Sequence, residues 1–314
     1  MRKIVPIDLG GSPNRCAVAP PVRPPATPET LTALIENYRN RWTGRELEVA
    51  FFHGGTPSGH LLAAASGHRM RLSTHPSDLH QADAVRFKQA GGETIELEVM
   101  SFDPHVLRTS RRDYTTGRVV QMVRTLKEMG FAVGIHLVPG LPGADAAAGI
   151  EDVQKAADLD VDFLRIWPAL ALEGSLLSAW AEDGRWQPWT IDDAIGAVGR
   201  MVSTAHASAL PVIRVGIQPG HDIPVRATAG PVHPNLRGEV EMVRFSSLLE
   251  DALPQSHGET EVVFVVHPKD LSWAKGTSNQ NARQIRTNHG IETVRFKVDE
   301  NVPRGTVRAE GGSS

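Results

Sequence analysis

The chain's single cysteine, Cys16, stands in the segment GGSPNRCAVAPP, residues 10–21. Ser12, Cys16 and Ala19 keep the spacing Cys-x3-Cys-x2-Cys of a three-cysteine metal loop, with only the middle thiol present. A serine oxygen is a hard, poor ligand for iron–sulfur chemistry, and alanine has no donor atom. One thiol neither closes an intramolecular disulfide nor holds an iron–sulfur cluster unaided. Cys16 therefore has two readings. It is a small hydrophobe left in the loop, or it is one ligand of a mononuclear zinc site with His53 and His136, since Cys/His sets suit zinc. No close-spaced His/Cys pair anchors the second reading. His105, His221 and His233 fall in polar loops, where a surface or hydrogen-bonded role is the default. Gly10-Gly11 opens no helix and forms no Gly-x-Gly-x-x-Gly nucleotide fingerprint.

Alternating strands and helices must position these residues. KIVPIDL, ELEVAFF, HRMRLST, TIELEVMS, FAVGIHLVPG, VDFLRIWP and PVIRVGIQP read as strands. Residues 77–90, GRVVQMVRTLKEMG, DAAAGIEDVQKAADLD and TIDDAIGAVGRMVSTA read as helices. Val119, Met122, Val123 and Leu126 recur at helical spacing, Gly130 stops that helix, and Thr190 caps the last one. Repeated strand–helix units imply a parallel sheet covered by helices. The expected fold is α/β: a partial or full TIM-like (β/α)6 barrel over residues 1–244. In such a barrel the working residues sit at the C-terminal strand ends. Cys16, His53-Gly54-Gly55, Ser101 and residues 139–143 fall there. After Arg244, ETEVVFVVHP, SNQNARQIRTNHG and IETVRFKV predict a small α/β extension over 245–307, followed by a frayed tail at 308–314. PPVRPPATP reads as a stiff extended loop between the first strand and first helix.

A formal net charge of -3 with 22% charged residues argues against bulk polyanion binding. Arg108, Arg111, Arg112, Arg118 and Arg124 crowd together, as a local basic patch or as a solvated helix face and loop. Trp180, Trp186 and Trp189 surround EDGRWQPW, where they clamp the loop to the barrel or stack a nucleobase. The start, MRKIVPIDLGG, lacks a signal-peptide core, and no apolar run approaches the roughly 20 residues of a membrane span. The expectation is a soluble cytoplasmic protein with no membrane contact.

Taken in order, these landmarks resemble the radical SAM superfamily from about residue 3 to residue 300. The branch is that of the elongator catalytic subunit and its bacterial relatives, near oxygen-independent coproporphyrinogen oxidase. IVPIDLGGSPNRC is similar to the cluster loop, and FFHGGTPSG to the Gly-Gly motif whose backbone meets the amino group of S-adenosylmethionine (SAM). RLSTHPSDL, TIELEVMSFDPHVLRTSRRDYT, GFAVGIHLVPGLPG, FLRIWPAL with EGSLL, and VIRVGIQPGHDIP resemble the later strands and their turns. VHPKDLSWAKG resembles the C-terminal extension of bacterial members. The resemblance implies cofactor-contacting roles for Gly54, Gly55, Ser101, Gly140 and Gly143, and for Arg165, which lies where relatives carry a basic residue. Arg165 reads equally as an anion contact or as an ordinary strand-end salt bridge. His136 matches a histidine of the same branch.

The departures are as informative. Active members hold a [4Fe-4S] cluster on three cysteines, and here Ser12 and Ala19 replace two of them. Glu98-Val99-Met100-Ser101 puts a thioether where the family uses a donor near SAM, and Arg112-Asp113-Tyr114-Thr115 replaces Arg-Gly-His-Thr. The expectation is a degenerate member without a [4Fe-4S] cluster that makes no 5′-deoxyadenosyl radical. It would bind a small ligand such as SAM, or a protein partner. The retained glycines are also explained by the needs of barrel turns alone. The alternative is an active radical SAM-type or SAM-dependent enzyme acting on tRNA. The net charge gives that no support, and 314 residues leave no room for an acetyltransferase domain. The Cys/His zinc site is the third reading.

Overall fold

The computed structural model describes residues 2–11, 16–18, 24–145, 147–217, 223–254 and 260–311. Of the positions singled out above, Ser12, Ala19 and His221 lie outside them. The chain runs β1 (Lys3–Gly11), α1 (Pro28–Arg41), β2 (Leu47–Gly54), α2 (Gly59–Ala64), β3 (Arg69–Thr74), α3 (Gln81–Gln89) and β4 (Gly92–Met100). It continues through α4 (Pro104–Thr109), α5 (Thr116–Glu128), β5 (Ala132–Leu137), α6 (Ala148–Asp158), β6 (Phe163–Ile166), β7 (Ala171–Leu172), α7 (Leu176–Glu182), α8 (Ile191–Ala207) and β8 (Val212–Val215). Then follow α9 (Ile223–Arg226), β9 (Ala227–Ala229), α10 (Leu236–Asp251), β10 (Glu261–Val266), α11 (Leu271–Lys275), α12 (Gln280–His289), β11 (Thr293–Val298) and β12 (Val307–Gly311).

Seven strands pair in the order β1-β2-β3-β4-β5-β6-β8, all parallel. This is the sheet of a partial barrel, with β1 and β8 at its edges. Strand periodicity divides its faces. Val5, Ile7, Val49, Phe51, Met70, Leu72, Ile95, Leu97, Val133, Ile135 and Leu164 belong to the main core, shared with Leu31, Phe87, Val119, Val123 and Val198 of the helices. The alternate residues, including Asp8, Glu48, Arg71, Glu96, His136, Arg165 and Arg214, occupy the concave face. That face is charged, unlike the apolar layers that fill a closed barrel.

Local signals set the helix limits. Thr115 accepts from the Arg118 amide at the start of α5, and Thr190 and Asp193 form a reciprocal capping box on α8. Helix α3 starts at Gln81 rather than at 77, and the Asp83 carboxylate accepts from the His80 amide. Helix α6 starts at Ala148, because the Asp145 carboxylate accepts from the amides of Ala147 and Ala148, both at 2.8 Å. Asp145 is thus a cap and not part of the helix.

The C-terminal region forms a second sheet, β11-β10-β12. The frayed tail expected at 308–314 is corrected over its first residues. β12 pairs antiparallel with β10, with Val307 opposite Val266 and Ala309 opposite Phe264. An edge on β10 supplies the backbone partners that a polar, glycine-rich terminus cannot advertise locally. Gly305 fastens this segment to the barrel side. Its amide donates to Asp270 Oδ2 at 2.7 Å, its carbonyl accepts from Arg244 Nη1 at 3.0 Å, and the neighbouring Arg304 carbonyl meets His206 Nε2 of α8 at 2.6 Å. Helix α10, which packs on α8, runs unbroken through the 244/245 junction. Among the described residues, no helix is long and apolar enough to cross a membrane.

Candidate functional site

Cys16 follows β1 and is 7% exposed. It packs with Met100, Val106, Val138, Leu141, Ala171, Leu177, Trp180 and Trp186 in an apolar plug separate from the main core. These residues come from the loops and short elements after several strands, so the plug closes one part of the C-terminal end of the barrel. Beside it lies a cleft of about 660 Å³ lined by Cys16, Arg111, Ser175, Ser178 and Glu182. The Trp186 indole donates to the Gly140 carbonyl at 3.0 Å, which settles the clamping role for this tryptophan.

Arg112 reaches into the plug from the α4–α5 connection. Its Nη1 lies 3.4 Å from Cys16 Sγ, and its Nη2 donates to the Glu98 carbonyl. The guanidinium also stands 5.4 Å from the Tyr114 ring. The Tyr114 hydroxyl donates to the carbonyls of Val99 and Glu98, and burial pushes its pKa up to about 12, so it stays a donor. Arg112 is thus a buried member of the basic group, whereas Arg108, Arg111, Arg118 and Arg124 are exposed.

The retained glycines separate on steric grounds. A Cβ on Gly54 would stand 2.5 Å from Leu9 Cβ, so the approach of β1 to β2 requires this glycine. Among the described residues, a Cβ on Gly55 would meet only Asp78 Cβ, at 3.7 Å, an ordinary contact. Packing alone does not demand Gly55. The Thr74 hydroxyl holds both carbonyls, at 3.3 Å from Gly54 O and 3.0 Å from Gly55 O. Gly140 and Gly143 have φ of 84° and would strike Trp189 and His105, so both serve the turn after β5.

Ser101 is structural as well. Its hydroxyl donates to Asp152 Oδ1 of α6 at 3.1 Å and accepts from the Asp103 amide at 3.0 Å. Asp152 also accepts from the Phe102 amide at 2.6 Å, and burial raises its pKa to about 7. His53 (φ 56°) and Met100 (φ 63°) hold left-handed conformations at the ends of β2 and β4, where the strand register also shifts. Strain of this kind costs about 1–3 kcal/mol per residue and gathers at functional sites.

On the concave face, Asp8 of β1 stands 3.5 Å from His53 Nδ1, with both side chains about one-third exposed (31% and 32%). Arg71 pairs with Glu48 at 3.1 Å. Arg165 reaches across β5 to Glu96, with Nε 2.8 Å from Oε1, close enough for an ion pair but without hydrogen-bond alignment. This is the salt-bridge reading of Arg165. Burial keeps His136 well below the usual histidine range, with Arg165, Arg112 and His53 adding repulsion, so its ring is neutral. Among the described residues, no three His, Cys, Asp or Glu side chains are grouped to hold a metal. The zinc site of Cys16, His53 and His136 is therefore not assembled. Sequence reasoning missed Asp8, Arg112 as a buried cation, and Arg214. A charged residue at alternate strand positions is the one signal that could have found Asp8 and Arg214.

Residues 161–244 match the model of the Radical_SAM C-terminal domain. Elongator complex protein 3 of Saccharomyces cerevisiae is 24% identical over 272 residues, covering 84% of this chain and 45% of that protein. The chain is similar to the elongator-like branch of the radical SAM superfamily. A tRNA uridine(34) acetyltransferase of Methanocaldococcus jannaschii is 25% identical over 127 residues, 40% of this chain and 24% of that one. The solved structure of an archaeal Elp3 from Methanocaldococcus infernus superposes with a TM-score of 0.61 at 18% identity, over 81% of this chain and 64% of that one. This elongator-like chain spans less than half the length of the curated relatives described here. Its seven-stranded partial barrel is the fold expected from the sequence.

Proposed function

We propose that this protein is a ligand-binding member of the radical SAM superfamily that assembles no [4Fe-4S] cluster of its own. The observation that carries the reading is the Cys16 environment. A cluster needs several thiolates, and this chain has one cysteine in total. That sulfur belongs to the apolar cluster with Met100 and Trp180, and Arg112 Nη1 stands 3.4 Å from it. The donor set does not fit a cluster.

The Gly-Gly turn fits the amino-acid end of SAM better. Gly55 leaves its backbone approachable, and the partly exposed Asp8 carboxylate beside His53 suits an ammonium group. SAM bound there would bring a sulfonium centre; this chain's contribution would be to hold and orient the amino-acid end. Two measurements test the reading. Metal analysis after anaerobic purification should find near-zero iron, and calorimetric titration with SAM should give saturable heat. About four irons per chain with visible absorbance would overturn it. Iron-free protein with neither heat nor thermal shift would remove the pocket and leave a partner-binding scaffold.

The names of the relatives support a second reading, in which the chain engages tRNA. The exposed Arg108, Arg111, Arg118 and Arg124 would then supply phosphate contacts. A gel-shift with mixed tRNA at moderate salt decides it, and absence of retardation sinks it.

A further inference from the structure

The far side of the concave face carries a neutral histidine and two arginines that share one carboxylate. His136, Arg165 and Arg214 are register neighbours on β5, β6 and β8, so their side chains share one face. Arg165 has Glu96 as its carboxylate. Arg214 is half-buried and has no hydrogen bond or ion pair among the described residues. Burial and the nearby Arg165 and Arg237 lower its pKa, and Arg237 is itself committed to Glu241 and the Val212 carbonyl. Like charges on neighbouring strands are destabilising, and a half-buried guanidinium without a partner is costly. Two further atoms on this face are buried without hydrogen-bond partners among the described residues: Nε2 of His136, and Oε2 of Glu96. Unpaired groups of opposite character on one concave surface are what a polar ligand satisfies.

We infer that Arg165 and Arg214 form an anion-binding position inside the partial barrel. It takes a small molecule bearing a carboxylate or phosphate, with a hydroxyl or amino group to donate to Glu96. The position extends the ligand-binding reading to the opposite edge of the sheet from Asp8, and it does not depend on SAM. Planar guanidinium pairs suit both carboxylate and phosphate oxygens. The partnerless Glu96 oxygen favours ligands that also carry a donor over a bare anion.

The test is calorimetric titration of the full chain with inorganic phosphate, glycerol phosphate and malate at constant ionic strength set by chloride. Saturable binding of at least one, with glycerol phosphate above phosphate for a phosphate site or malate strongest for a carboxylate site, is expected. Arg214→Gln should weaken it at least tenfold, Arg214→Lys should weaken it less, and Arg286→Gln, exposed on α12, should leave it unchanged. Lys at 214 keeps the charge if the Gln variant fails to fold. No saturable binding of any of the three, or equal loss in the Arg214 and Arg286 variants, overturns the inference. If SAM binds the unaltered chain while none of the anions does, the strand-mouth reading stands and this one falls.

Discussion

The Arg112 guanidinium lies 3.4 Å from the sulfur of Cys16, a member of the apolar plug. The cation also holds the Glu98 carbonyl, so it links the loop after β1 to the end of β4. In a barrel whose cluster loop keeps one thiol, this contact fastens the loop without metal.

Removing that cation should cost more than removing the sulfur. Arg112→Met leaves the Glu98 carbonyl only its 3.3 Å bond from Tyr114 and should destabilise by roughly 2–4 kcal/mol. Cys16→Ser retains an acceptor for Nη1 and should cost about 1 kcal/mol. Urea unfolding of both variants checks the order. Equal losses would mean that the thiol, and not the guanidinium, holds the loop.

The adjacent glycines should behave differently. Gly54→Ala drives a methyl into Leu9 and should destabilise by about 1–3 kcal/mol, the usual cost of overpacking. Gly55→Ala meets only ordinary contact and should stay within about 1 kcal/mol of the parent. Under the proposed function, Gly55→Ala should nevertheless weaken SAM binding several-fold. Parallel thermal melts and titrations separate the two effects.

Two buried groups give stability opposite pH dependences. Asp152 has its pKa raised from 3.8 to about 7, so the folded state binds the extra proton. Its contribution is full below about pH 4 and is lost as pH rises through 7, with an upper bound of about 4 kcal/mol. His75 is lowered from 6.5 to about 3, mainly by burial and then by Arg112, so folding expels a proton. Its contribution is full above 6.5 and is lost as pH falls toward 3. Urea midpoints from pH 4 to 8 should therefore lose less on acidification in His75→Gln and more in Asp152→Asn. Unchanged profiles would show that neither group is perturbed as described.

The strands were legible because Val5, Ile7, Ile95, Leu97, Val133 and Ile135 alternate with polar neighbours, and alternation is a local signal. The ordered strand ends likewise placed Cys16, Gly54 and Ser101 at one end of the barrel. What they do there was not legible. Gly54 and Gly55 look equivalent in a motif, and only the nearness of Leu9 distinguishes them. The partner of Cys16 lies 96 residues away. Asp152 meets Ser101 across 51 residues of chain, which hides the pair that makes Ser101 structural. Arg214 gave only the weak signal of a charge alternating within a strand, since its meaning comes from the strand beside it. The terminal strand was missed because its reason lies on the open edge of β10.

The fastening at Gly305 bears on how such proteins can be recombined. A Cβ there would press on His206 of α8 and on Arg244 of α10, so only glycine lets the terminal segment sit against two barrel-side helices at once. With α10 shared as well, the extension is no cassette to be exchanged between homologous barrels at residue 244. A chimera joined there would inherit half a helix from each parent and a foreign surface under its final strand. Successful transplants should instead carry α8, α10 and the terminal strand together as one heritable block.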